Sequence, residues 1–176
     1  CENHTPASIF KDKFNGETCI ILAGGPSLDE DIQWIKQNRE HLVIISVSRV
    51  AKKLNQENLV PHIVISVDPY EISFDVSKEL LLFPPQVLFL HSNNVTPFLL
   101  AQWHGSSAYL DRRYPWDEKD DASNLVSNGP TVTNTALKAA IDMGFSNILL
   151  SGVDLCFSEK GVTHASGSNE EKVGPT

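Results

Sequence analysis

Six short runs rich in Val, Ile and Leu constrain this chain more than any other feature: Thr18 to Ala23, Leu42 to Ser48, His62 to Asp68, Gln86 to His91, the brief Ser107 to Leu110, and Asn147 to Val153. Most are nearly continuous, without the polar alternation of a half-wet sheet, so they predict strands buried on both faces, as a parallel sheet requires. Helical patterns separate them. Asp29 to Glu40 sets Ile32, Trp34 and Ile35 among Asp, Glu, Gln and Lys, and Arg49 to Asn58 does the same with Val50, Ala51 and Leu54. Glu71 to Phe83 and Thr96 to Trp103 carry weaker patterns. Pro130 to Met143 opens on proline, places Val132, Ala136, Leu137, Ala140 and Ile141 at helical spacing, and stops at Gly144. A strand-helix order repeated about five times predicts an α/β, Rossmann-like, doubly wound and mainly parallel sheet with helices on both faces.

The boundaries expected are a lead-in over residues 1–17 and one nucleotide-binding domain over residues 18–176. The chain begins at Cys1 in place of Met and ends just after a Gly-rich polar stretch, which reads as an excerpt of a longer polypeptide truncated in its C-terminal part. With 176 residues, 41% of them apolar, one core is expected. A formal charge of -8 and the lack of any concentrated basic patch exclude broad nucleic-acid or anionic-membrane binding. Cys1, Cys19 and Cys156 have no metal-ligand spacing and read as free thiols in a reducing compartment. Neither a signal-peptide pattern nor an apolar run of about 18 residues is present, so no membrane span and a cytoplasmic location are expected.

In an open parallel sheet, ligands bind beyond the carboxyl ends of the strands. Here those ends are chemically coherent: Gly24-Gly25-Pro26-Ser27, Ser46-Val47-Ser48-Arg49, Asp68-Pro69-Tyr70, His91-Ser92-Asn93-Asn94 and Ser151-Gly152-Val153-Asp154. Two glycines followed by Pro, Ser and Asp suit a strand that turns sharply into a helix whose free N–H groups attract phosphate. Ser127-Asn128-Gly129-Pro130-Thr131 opens a second helix in the same manner. Asp68 and Asp154 are candidates for Mg²⁺ held with substrate phosphates or for ribose hydroxyls, with helix capping or loop bracing as the alternative. His164, in a polar segment after the last strand, is the leading histidine, placed for a base or a phosphate contact, with a plain exposed loop histidine as the alternative, and His91 is second. Two stretches, Asp111 to Gly129 and Cys156 to Thr176, are long enough for functional loops. No nucleophile elbow, HExxH or EF-hand occurs, and the glycine turn is neither GxGxxG nor a P-loop.

Gly24-Gly25-Pro26-Ser27-Leu28, Pro61 to Pro69, Gly129-Pro130-Thr131-Val132, Gly144-Phe145, Leu150 to Leu155 and Thr163-His164-Ala165, in this order, resemble the central domain of the motility accessory factor (Maf) flagellin glycosyltransferases. The resemblance implies transfer of a nonulosonic, sialic-acid-like sugar from its CMP-activated form to Ser or Thr of flagellin. That domain is similar to bacterial sialyltransferases, which share the glycine-Pro-Ser turn and the Leu-Ser-Gly-Val-Asp strand end containing Gly152. By this likeness Gly24, Gly25, Pro26 and Ser27 face the nucleotide, Ser48 and Asp68 line the sugar or ribose pocket, Asn128, Gly129 and Thr131 hold phosphate, and His164 is the base, with Asp154 and Asp68 as alternatives. The same signature resembles the archaeal 6-hydroxymethylpterin pyrophosphokinase, which implies ATP, Mg²⁺ and metal ligation by Asp68 and Asp154. A non-catalytic nucleotide-binding module is the third reading.

Overall fold

In a strand covered on both sides, successive residues face opposite layers, so each apolar run must supply two cores at once. The computed structural model, which describes residues 5–111, 123–155, 161 and 163–167, has this arrangement in its inner strands, whereas the last run lies at a sheet edge with Leu149 and Leu150 exposed. Strands β1 (Thr18–Leu22), β2 (Val43–Val47), β3 (Ile63–Ser66), β4 (Leu88–Ser92), β5 (Ser107–Leu110) and β6 (Asn147–Ser151) form one sheet in the order β5-β4-β3-β2-β1-β6. Every pairing is parallel, with Ile20 opposite Ile44 on one side and Leu149 on the other. Ile20, Leu22, Ile44, Val64 and Phe89 pack against α1 (Ser27–Gln37), α2 (Ala51–Gln56) and α4 (Pro97–Gln102) through Leu28, Ile32, Ile35, Leu54 and Leu99. The intervening residues Cys19, Ile21, Ile45, Ile63 and Leu90 pack on the opposite face against Ala136, Ala139, Ala140 and Met143 of α5 (Val132–Asp142). The doubly wound expectation is met.

The helix ends differ from the sequence expectation for local reasons. The Arg49 to Asn58 pattern forms α2 only to Gln56, because Asn58 turns into the left-handed region at φ 53° and closes the last turn. The Glu71 to Phe83 pattern divides into α3 (Glu71–Ser77) and a 3-10 turn over Lys78–Leu82. The break falls at Ser77, whose buried hydroxyl donates to Ser48 Oγ at 3.0 Å. Of the two long stretches, Asp111, residues 123–129, 161 and 163–167 are described; residues 112–122, 156–160, 162 and 168–176, with Cys156, lie outside the described residues, as does Cys1. Cys19 is free and buried, and burial pushes its thiol up to about 12, which makes it a packing residue. Among the described residues no helix is long and apolar enough to cross a membrane.

One polar cluster ties the helices beneath the site. Lys53 of α2 is only 6% exposed, and its Nζ lies 2.8 Å from Asp29 Oδ1 of α1 and 3.3 Å from Glu57 Oε1. Glu57 also accepts from Lys36 at 2.8 Å. Burial works against the Asp29 carboxylate, but hydrogen bonds from Lys53 and from the amide and hydroxyl of Ser166, with the Lys53 charge, outweigh it and hold Asp29 below the usual range. Hydrogen bonds from Lys36 and then Lys53 lower Glu57 as well. Both folded values lie below the unfolded ones, so this stabilisation is complete above the ordinary carboxylate range of about 4 and is lost as pH falls through the lowered values. Thermal melts from pH 6 down to 3 are expected to show a falling midpoint below about pH 4, and Asp29→Asn is expected to flatten that fall.

Candidate functional site

Strands β1 to β5 step in one direction across the sheet, and the chain then crosses to the other side of β1 to lay down β6. Such a switch point leaves a crevice at the carboxyl ends of its two strands, which is where open α/β sheets bind ligands. A cleft of about 880 Å³ lies there. Its walls include Ala23 to Gly25 after β1, Arg49 after β2, Asp68 after β3, Pro130 to Asn134 at the start of α5, Gly152 to Leu155 after β6, and Thr163 and His164. A smaller groove of about 460 Å³, lined by Glu17, Arg39, His41 and His62, lies at the amino-terminal edge of the sheet, away from the switch point.

The β1 turn is held by its neighbour. Ala23 N–H donates to Ser151 O at 2.9 Å and Gly25 N–H to Gly152 O at 2.7 Å, so β6 continues to brace β1 past the end of the ladder. Gly152 N–H donates to Ser27 Oγ at 3.0 Å, and Ser27 N–H donates to Asp154 Oδ2 at 3.0 Å. Glycine is required twice. A Cβ on Gly25 would overlap the Asp154 carboxylate and lie 2.7 Å from Gly152 O; one on Gly152, whose φ is +71°, would overlap the carbonyl oxygen of Ala23. Asp154 is therefore seated at the amino terminus of α1, where a carboxylate meets the helix dipole favourably.

That seating decides where an anion can go. In the β1 turn, Gly25 and Ser27 amides are already engaged, Pro26 has none, and Gly24 N–H is the one turn amide without a partner among the described residues. Asp154 sits on the Ser27 amide at the amino terminus of α1, whose first turn also carries Asp29 and Glu30, so a phosphate there would meet the Asp154 carboxylate. The first turn of α5 holds no acidic residue, its Thr131 side chain caps Asn134 N–H at 3.3 Å, and Val132 and Thr133 N–H have no intrahelical acceptor. Asn128 shapes the approach by exchanging hydrogen bonds with Thr135 Oγ1 at 3.2 and 3.3 Å. The electrostatics favour phosphate at α5 over α1.

Of the residues singled out from the sequence, the cleft brings together Gly24, Gly25, Asp68, Thr131, Gly152, Asp154 and His164. Pro26, Ser27, Asn128 and Gly129 shape its turns without lining it. Ser48 is 2% exposed in a hydroxyl cluster with Ser66 at 3.2 Å and Ser77, and His91 is 5% exposed with Nδ1 3.0 Å from Ser92 O; neither lines the cleft. Asp68 accepts from Arg49 Nη2 at 3.1 Å. No group of three His, Cys, Asp or Glu side chains able to hold a metal ion occurs among the described residues. His164 stands against the first glycine, its Cδ2 3.7 Å from where a Gly24 Cβ would be, with Nδ1 2.8 Å from Thr163 Oγ1.

The sequence names Arg49 at the end of the second strand without giving it a role, yet it is the only Lys or Arg among the described residues lining the cleft. Its signal was its place, directly after the second strand. Motif reading overlooked Lys53, Asp29 and Ser166, which no motif joins.

A family model described as 6-hydroxymethylpterin diphosphokinase MptE-like matches residues 1–160. Among solved structures, the chain is similar to the MAf glycosyltransferase from Magnetospirillum magneticum AMB-1, with 25% identity and a TM-score of 0.71 over 87% of this chain and 27% of that one. The chain thus spans about a quarter of the length of that glycosyltransferase. No curated protein matches it.

Proposed function

The chain belongs to the 6-hydroxymethylpterin diphosphokinase MptE-like family, and from that premise we propose that it is the donor-binding domain of a glycosyltransferase that takes a nonulosonic sugar from its CMP-activated form. The observation that carries this reading is the charge inventory of the cleft. One helix amino terminus free of acids, one arginine and one histidine face two aspartates. With Arg49 already shared with Asp68, this inventory is close to balanced and leaves little positive charge for a polyanion, which suits a donor with one phosphodiester and one sugar carboxylate better than a triphosphate of about four negative charges. The likeness to a solved glycosyltransferase supports the same reaction class.

In this reading the phosphate of CMP sits on the Val132 and Thr133 amides, and the Arg49 guanidinium, whose Nη2 donates to Asp68 at 3.1 Å, is shared between Asp68 and the sugar carboxylate. The bond between the anomeric carbon and the phosphate oxygen breaks, CMP keeps its electron pair, and the α5 amides stabilise the charge that develops. The acceptor oxygen bonds to the anomeric carbon while its proton passes to the His164 imidazole, which Thr163 Oγ1 holds through Nδ1 at 2.8 Å. The acceptor is a Ser or Thr hydroxyl of a flagellin-type protein, and the setting is cytoplasmic.

The alternative is diphosphoryl transfer from ATP, which the family description and the presence of Asp68 and Asp154 in one cleft favour. In that case those carboxylates would hold Mg²⁺, Asp154 through its Oδ1 while Oδ2 keeps the Ser27 amide. Calorimetry separates the two. CMP is expected to bind with an affinity unchanged by EDTA and at least ten-fold above that of ATP. Arg49→Gln is expected to weaken CMP-sialic acid about 10- to 100-fold, the worth of a charged hydrogen bond, while CMP stays within about two-fold. Mg²⁺-dependent ATP binding with no CMP affinity would select the diphosphokinase.

A further inference from the structure

A lysine that is almost fully buried at the base of a site, and that the chemistry above does not use, calls for a role. Lys53 meets three partners from three parts of the chain: Asp29 on α1 at 2.8 Å, Glu57 at the end of α2 at 3.3 Å, and Ser166 Oγ at 3.1 Å. Ser166 in turn donates its amide to Asp29 Oδ2 at 2.8 Å and its hydroxyl to Asp29 Oδ1 at 3.0 Å. One residue back, Ala165 is fully buried in the α1–α2 core and its N–H donates to Gly24 O at 2.8 Å. His164 precedes Ala165 and faces the cleft. The segment has little apolar mass of its own, since Ala165 is its single buried residue, so its position depends on this polar anchor.

We propose that Lys53, acting through Asp29 and Ser166, is a positioning residue that clamps the 163–167 segment to α1 and thereby aims the His164 imidazole across Gly24 into the cleft; the functional part of this rests on the reading of His164 as the base. Lys53 touches no substrate. Its ammonium cross-links two elements of the sheet's helical layer to a segment more than 100 residues further along the chain, at |i−j| of 113. A general base displaced by about 1 Å loses on the order of 100-fold in rate, so a clamp on the adjoining residues shows in kcat before it shows in binding.

The test uses the full-length protein with three variants. Lys53→Met is expected to speed amide exchange at Ala165 more than about ten-fold, to lower kcat for transfer about 100-fold, and to leave CMP affinity within about two-fold. Lys53→Arg, which keeps the charge, is expected to recover most of kcat. Ser166→Ala removes the hydroxyl contacts to Asp29 and Lys53 while leaving no unpaired charge; it should show a smaller change of the same kind, and it carries the test if Lys53→Met does not fold. Ala165 exchange as slow as in the parent in a folded variant overturns the clamp. Faster exchange with kcat unchanged overturns the positioning role, and so does a loss of kcat matched by an equal loss of CMP affinity. His164→Ala forms a separate arm: unchanged transfer there removes the base reading, while Ala165 exchange still reports on the clamp.

Discussion

Gly152→Ala is expected to cost about 3 kcal/mol or more of stability and to lower the thermal midpoint by about 10 °C. Two penalties combine. The residue sits at φ +71°, where a side chain costs about 1–2 kcal/mol, and the new Cβ overlaps the Ala23 carbonyl oxygen and lies 2.7 Å from its carbon. Relief would require β6 to draw away from β1, which would break the Gly25-to-Gly152 and Gly152-to-Ser27 hydrogen bonds together. The substitution should therefore abolish nucleotide binding along with the lost stability. A variant that melts within about 2 °C of the parent and binds CMP normally would show that this turn tolerates separation. Scanning calorimetry and CMP titration on the same sample decide the matter.

His164→Ala is expected to act oppositely, on chemistry and not on fold. Removing a general base costs about 10²- to 10⁴-fold in rate, so transfer from a CMP-nonulosonic acid should fall by that range. The imidazole touches the rim at Gly24 while the phosphate seat on α5 is formed by backbone, so CMP affinity should stay within about three-fold. Unchanged transfer, or a rate loss matched by an equal loss of CMP affinity, would remove His164 from the role of base.

The fold was largely legible because its signal is local. Each of the six apolar runs became a strand within one or two residues, the inner ones because a strand buried on both faces lacks polar alternation, whereas the strand order that sets β6 beside β1 was not read from the sequence. The cleft's position was legible for the same reason, because strand ends carry their chemistry in contiguous residues. The roles within it were less so. Asp154 reads as a metal ligand or base until its partner is known, and that partner, the Ser27 amide, lies 127 residues earlier in the chain. Ser48 closes the second strand in sequence, yet its side chain points into the hydroxyl cluster with Ser66 and Ser77. Side-chain direction at a strand end depends on where the chain bends, and spacing does not encode that. Lys53 stood unmarked in an ordinary helical surface pattern; only the return of Ser166 onto α1 buries it.

In the proposed function the β1–β6 switch-point cleft holds a cytidine nucleotide with its phosphate on the amino terminus of α5. Amide chemical-shift mapping during a CMP titration tests it most directly. The claim predicts the largest shifts at Gly24, Val132 and Thr133, saturating together with the His164 imidazole. Shifts centred on Arg39, His41 and His62 in the opposite groove, or an unperturbed α5 amino terminus at saturating CMP, would contradict it.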